Sequence, residues 1–399
     1  MKEYYFDYAA TTPVDPQVLK TMEPYFKDKY GNPSSVYIKG QEARLDIEKA
    51  REKIASLIGA DPTEIIFTSC ATESNNLALK GVAWKYHSDT KRKCHIITTQ
   101  IEHHSVSNTC KYLEQFGHKV MYLPVSKEGI LNPEDVKKSI TSNTIMVSVM
   151  YANNEIGTTQ PIKEIVEVIK DINKIREAKK KPPIYFHTDA VQALQYLPTN
   201  VNDLGVDLLS ITGHKFYAPK GVGALYVRRG TQFLPEMQGG GQEKHRRAGT
   251  ENVPYIVGMA KALELAYERQ KEEGERLTKL RDKLMEEVLK IPDAQLTGHK
   301  TKRLPHIASF TFKYIEGESL LLKLNAKGIY ASTGSACTSD SLEPSHVLLA
   351  LGLKPQIAHG SLRVSLGHFT TDEDVNYLIK ELPGIVEELR EMSAIRSDS

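Results

Sequence analysis

Short apolar and β-branched runs recur along the first part of this chain, separated by stretches long enough for a helix, and that alternation limits the fold more than any other feature. The runs are Ile65-Ile66-Phe67-Thr68, His95-Ile96-Ile97-Thr98-Thr99, Val120-Met121-Tyr122-Leu123, Thr144 to Met150, Ile184-Tyr185-Phe186, Asp207 to Ile211 and Ala224-Leu225-Tyr226-Val227. Most read apolar on both faces, as strands do when helices cover the sheet from both sides. The pattern predicts an α/β domain over residues 15–257, built on a mostly parallel seven-stranded sheet.

A charged helical stretch follows from Gly258 to about Lys290, in which Leu263, Leu265, Leu277, Leu280 and Leu284 sit among Glu, Lys and Arg. Beyond it, strand signals at Ala308 to Phe312 and Ser361 to Leu366 mix with amphipathic helices at Glu318 to Leu324 and Val375 to Met392. These features predict a smaller α+β C-terminal domain, residues 258–399 with 1–14, and 399 residues suffice for both domains.

The formal charge of +2, with 26% charged residues, argues against nucleic acid or an anionic membrane as a partner. The four cysteines Cys70, Cys94, Cys110 and Cys337 form no CxxC pair and no zinc or disulfide spacing, which suits a reducing, cytoplasmic setting. Residues Met1 to Thr12 lack the apolar core of a signal peptide, and no apolar run approaches membrane-spanning length. A soluble protein without a cleaved address is expected.

In open parallel sheets, ligands bind outside the carboxyl ends of the strands. After the first run, Cys70-Ala71-Thr72-Glu73-Ser74 opens a helix whose unpaired N–H groups suit a phosphate, although ordinary capping explains the same residues. The second run ends in Glu102-His103-His104-Ser105, where an imidazole could stack on a ring or could equally be a capping or surface residue. The fourth ends in the amide-rich turn Asn153-Asn154-Glu155-Ile156-Gly157. The fifth delivers Asp189 and Gln192, and a carboxylate at the end of a buried strand needs a cationic or hydrogen-bonding partner. The sixth leads into Thr212-Gly213-His214-Lys215, a lysine in a tight loop of the kind a Schiff-base lysine requires. Each signal is weak alone. Together they match the polar inventory of a pyridoxal-phosphate site.

With these motifs the chain resembles the NifS/IscS-type cysteine desulfurases, members of the fold-type-I pyridoxal-phosphate enzymes. The likeness runs from Phe6-Asp7-Tyr8-Ala9-Ala10-Thr11-Thr12 through Gly213-His214-Lys215 and Gly334-Ser335-Ala336-Cys337-Thr338-Ser339 to Phe369-Thr370-Thr371. The resemblance implies that Lys215 holds the cofactor covalently, that His103 stacks on its ring and that Asp189 pairs with the ring nitrogen. It implies that Gln192 meets the phenolic oxygen and that Ala71, Thr72, Thr212, Gly213 and His214 surround the phosphate, with Thr250 arriving from the other subunit of a homodimer. Asn154 and Arg363 would bind the substrate carboxylate, Asn154 also lying against the cofactor. The expected reaction converts L-cysteine to L-alanine and leaves a persulfide on Cys337, for delivery to an iron-sulfur scaffold protein or another sulfur acceptor. Cys337 could also serve as a metal ligand, shared with a scaffold's iron-sulfur cluster. Thr212, Ala218 and Cys70 depart from the family's commonest residues, serine, glycine and glycine. Two rivals stay open on residues alone: another fold-type-I enzyme, such as an aminotransferase or selenocysteine lyase with Cys337 incidental, and a non-catalytic platform for a scaffold or acceptor.

Overall fold

The computed structural model of the chain describes residues 2–334 and 343–393. The strands, in order, are β1 (Tyr4–Tyr5), β2 (Ile65–Thr68), β3 (His95–Thr99), β4 (Lys119–Leu123), β5 (Thr144–Ser148), β6 (Tyr185–Asp189), β7 (Leu208–Thr212), β8 (Gly223–Val227), β9 (Ala294–Leu296), β10 (Ile307–Phe312), β11 (Ile329–Tyr330) and β12 (Ser361–Ser365). Strands β2 to β8 form one seven-stranded sheet in the order β2-β8-β7-β6-β5-β3-β4. Pairing is parallel from β4 through β7, and β8 runs antiparallel between β7 and β2. The expected α/β architecture is therefore present, each apolar run becoming one strand.

Adjacent residues of a strand serve opposite faces. Ile96 belongs to the core with Leu77, Leu79, Val106 and Leu113, whereas Ile97 belongs to the core with Ile54, Ile165 and Leu263. The edge strand β4 differs, since Lys119 and Met121 are exposed there. Burying a Leu or Ile side chain contributes roughly 1.5–3 kcal/mol, so these two layers are where the sheet gains most of its stability.

The helix Val253–Val288 begins ahead of the charged stretch because Asn252 caps it, accepting from Tyr255 N, and Pro254 suits a first turn. Its first half packs in the sheet's core, while Leu277 to Val288 join a second core with Phe6, Phe310, Phe312, Leu362 and Leu382. There β12, β10 and β9 form an antiparallel sheet, and β1 pairs in parallel with β11. Asp7 bridges to Ser365 and Ser332 to Arg363, which sets the N-terminal segment beside β12. No helix among the described residues is long and apolar enough to cross a membrane.

Candidate active site

The carboxyl ends of the parallel strands open into a cavity of about 330 Å³. Of the residues expected from the sequence, Ala71, Thr72, His103, Asn154, Asp189, Gln192, Thr212, His214, Lys215 and Arg363 line it. Gly213 does not. It holds the lysine loop instead, its N–H donating to Val222 O at 3.0 Å, and a Cβ there would lie 2.8 Å from Ala218 Cβ. Thr250 is exposed and does not line this cavity, and Cys337 lies outside the described residues.

At one end, the helix Ala71–Thr90 begins after Cys70, whose side chain makes no capping bond, so its first N–H groups face the cavity without a side-chain cap. Gly223 permits this approach, since a Cβ there would come within 2.8 Å of the Cys70 backbone. His214 faces the same end, its Nδ1 3.2 Å from Thr11 Oγ1, and burial with the nearby Lys215 and Lys220 charges lowers its pKa to about 4. The Thr212 hydroxyl donates to Val222 O at 3.1 Å, so its proton is turned toward the backbone.

In the middle of the cavity, Asp189 is buried and both its oxygens accept from neutral donors, Oδ2 from Asn75 Nδ2 at 2.8 Å and Oδ1 from Val191 N at 3.0 Å. Asn75 Nδ2 also donates to Ser105 Oγ at 2.8 Å, and Ser105 Oγ lies 2.8 Å from His103 Nδ1. Burial moves the His103 pKa down, together with the Lys215 and His104 charges and against the pull of Asp189. Lys215 Nζ donates to Ala9 O at 2.6 Å and to Ala10 O at 2.7 Å, and Gln192 Nε2 to Ala9 O at 2.9 Å.

At the far end, the buried Arg363 donates through one nitrogen to Asn154 O at 2.9 Å and through another to Asp7 Oδ1 at 2.7 Å. Its Nε–H has no partner among the described residues. A fork with one unmet buried donor suits a small carboxylate. Asn154 thus meets Arg363 through its backbone carbonyl. Beside it, burial raises the Glu155 carboxyl to about 7, and Ser345 Oγ donates to Glu155 Oε2.

Sequence reasoning did not find Asn75, Ser105, Ala9 or Ala10 as part of this site. Asn75 was visible only as a polar residue on a helix face otherwise buried, and the alanines act through carbonyls that no side-chain pattern reveals. The donor set fits pyridoxal phosphate. A helix start lacking a side-chain cap suits the phosphate, a buried carboxylate held by neutral donors suits a cationic ring nitrogen, and a lysine amine and an imidazole line the space between.

The aminotransferase class-V family model matches residues 4–378. The chain is similar to the cysteine desulfurase IscS of Dictyoglomus turgidum, 52% identical over 398 residues, which cover 100% of this chain and 98% of that protein. Among solved structures it is similar to a NifS-like protein, with a TM-score of 0.89 and 42% identity, covering 97% of this chain and 100% of the other. It is also similar to SspA in complex with cysteine, with a TM-score of 0.80 and 37% identity, covering 92% and 100%.

Proposed function

The chain belongs to the aminotransferase class-V family, and on that premise we propose that it is a pyridoxal-phosphate-dependent cysteine desulfurase supplying sulfur for iron-sulfur cluster assembly. It converts L-cysteine to L-alanine and leaves a persulfide on Cys337. The observation that carries this reading is the shared cavity, which has Lys215, Asp189 and His103 along the strand ends and Arg363 across from them.

Lys215 would hold the cofactor covalently, Asp189 its ring nitrogen, His103 a ring face, Gln192 the phenolic oxygen, and Ala71, Thr72 and His214 its phosphate. When bound, pyridoxal phosphate supplies the electron sink for the substrate Cα. Arg363 grips the substrate carboxylate and so sets the orientation of the thiol. The Lys215 amine moves the Cα proton. His103 acts at the substrate sulfur. The Cys337 thiolate attacks that sulfur, an S–S bond forms and the substrate C–S bond breaks. The electron pair of that bond stays with carbon, which takes up a proton to become alanine.

A homodimer completes the site in this reading. Leu19, Phe26, Tyr30, Val36, Tyr37, Ile38 and Leu45 are large apolar side chains left exposed, Val36 at 88%. Such a run marks a surface that another chain covers. Phe26 packs edge-on against Tyr255, 6.5 Å between ring centroids, which joins this surface to the helix that follows Thr250. The loop before Thr250 is pinned by the buried pair Arg51–Glu243, 2.7 Å, and by Arg247–Glu73, 2.7 Å. Glu243, Lys244 and His245 hold positive φ angles of 45°, 57° and 62°. Three consecutive non-glycine residues in that region carry strain that the ion pairs must offset, as expected where a loop is shaped to serve a partner's cavity. Cys70, Cys94 and Cys110 are free thiols, consistent with a cytoplasmic setting.

Replacing Cys337 with Ser tests the function directly. The variant should keep its cofactor absorbance and lose sulfide release from L-cysteine in the presence of a thiol reductant. Undiminished release would instead favour an enzyme of the same family in which Cys337 is incidental.

A further inference from the structure

We propose that Ser105 and Asn75 are positioning residues that fix His103 with its proton on Nε2 and tie that ring to Asp189 through one hydrogen-bonded chain. The inference rests on the reading of the cavity as the reaction site and says how His103 acts there.

His103 precedes the helix His104–Gln115 and caps it with its own ring, Ser105 N donating to His103 Nδ1 at 3.1 Å. A backbone N–H can only donate, so Nδ1 must present a lone pair. Ser105 Oγ lies 2.8 Å from the same Nδ1. That oxygen already accepts from Asn75 Nδ2 at 2.8 Å, which turns the hydroxyl proton toward Nδ1. The second hydrogen of the same amide nitrogen goes to Asp189 Oδ2 at 2.8 Å. Turning the amide over would set its oxygen against the Asp189 carboxylate. As it stands, Asn75 Oδ1 is buried without a partner among the described residues. An unmet buried acceptor destabilises a fold, so keeping it shows that the two donors are what this position serves.

With Nδ1 occupied by two donors, neutral His103 carries its proton on Nε2, the nitrogen on the other side of the ring. It then offers the cavity an N–H and cannot accept a proton at that atom. His103 is therefore a fixed hydrogen-bond donor to the substrate sulfur: it draws electron density from the atom that the Cys337 thiolate attacks, and the thiol proton stays on that sulfur rather than passing to the ring. The charged groups around it act in both senses. Asp189 favours a second proton, Lys215 and His104 oppose it, and His346 packs on His104 with ring centroids 4.7 Å apart. The Ser105 bonds add to the opposition, because a donor aimed at Nδ1 stabilises only the unprotonated nitrogen.

The test is nitrogen-15 NMR of the full-length chain, with and without pyridoxal phosphate, read on the His103 ring. The expected result is Nδ1 unprotonated and Nε2 protonated. In Ser105→Ala, His103 should take its second proton about one pKa unit higher, a tenfold change in that equilibrium, and the acid limb of the kcat/KM profile should move with it. Ser105→Thr should restore both. Asn75→Ala should shift the titration in the same direction by less, and it supplies the answer if Ser105→Ala does not fold. A wild-type ring protonated on Nδ1, or folded Ser105→Ala and Asn75→Ala proteins with unaltered titration, would overturn the assignment. Because the nitrogen signals are also read without cofactor, their failure would leave the desulfurase reading standing. Failure of the desulfurase assay would leave the signals standing.

Discussion

The wall of the cavity that grows out of the seven-stranded sheet differs in kind from the wall opposite it. On the sheet side, the wall is made of side chains projecting from strand ends: His103 after β3, Asp189 at the end of β6, and Lys215 after β7. They are braced by other side chains, as Asn75 braces Asp189. On the other side, much of the wall is backbone. The carbonyls of Ala9 and Ala10 receive Lys215, that of Asn154 receives Arg363, and Arg363 itself comes from β12 in the second core. The difference separates two tasks. In the proposed function the sheet wall would hold the cofactor, and the assembled wall, contributed by segments distant in sequence, would receive the substrate.

If that division is right, changes on the two walls should fail differently. The largest effect belongs to the sheet wall: Lys215→Ala should abolish both turnover and the covalently held cofactor absorbance that survives exhaustive dialysis. Normal alanine production in that variant would break the division outright. On the opposite wall, Arg363→Ala should leave the absorbance intact while raising KM for L-cysteine by roughly 10- to 100-fold, the range expected for losing charge-assisted bonds. A loss of cofactor instead would show that the two walls are not separable.

A third test probes the rigidity of the sheet wall. Glu102 is buried beneath it, its Oε1 accepting from Thr99 Oγ1 at 2.7 Å and from Met150 N at 3.0 Å. Burial raises its pKa from 4.5 to about 8. Between those values the folded chain holds a proton that the unfolded chain has released, so the stability contributed at this position falls as pH rises. Glu102→Gln keeps the acceptor and removes the titration. Its advantage over wild type should grow from pH 4.5 to 8, on the order of a few kcal/mol, in denaturant titrations at fixed pH values. A constant difference across that range would show that the carboxyl titrates normally. The smallest effect is expected for Asp7→Asn, which removes the charge that pairs with Arg363 at 2.7 Å. With less competition for the guanidinium, KM for L-cysteine should fall by about threefold or less.

The two walls were also unequally readable from the sequence. Strands buried on both faces leave continuous apolar runs, so β3, β5, β7 and β8 and the polar residues at their ends could be placed without a structure. Asp189, at the end of the similarly buried β6, and Lys215, after β7, follow from that rule. The opposite wall obeys no period. Arg363 was reachable only through family resemblance, because nothing local marks the middle residue pair of the β10–β12 ladder, Ser309 opposite Arg363, as a binding position. Ala9 and Ala10 contribute carbonyls, which every residue possesses. Asn75 was hidden for a different reason: in Ser74-Asn75-Asn76-Leu77 it reads as part of a helix start, and its burial, shared with Ser74 and Leu77 but not with half-buried Asn76, shows only in the structure.

The central claim is that this cavity moves a sulfur atom from L-cysteine to Cys337. Peptide mass spectrometry after a single turnover with sulfur-labelled L-cysteine, without reductant, tests it most directly. The account predicts one added labelled sulfur on the peptide containing Cys337, in equal amount to the alanine formed, and none on Cys70 at the rim of the same cavity. Label on Cys70, or alanine formed with no labelled sulfur on the protein, would contradict it.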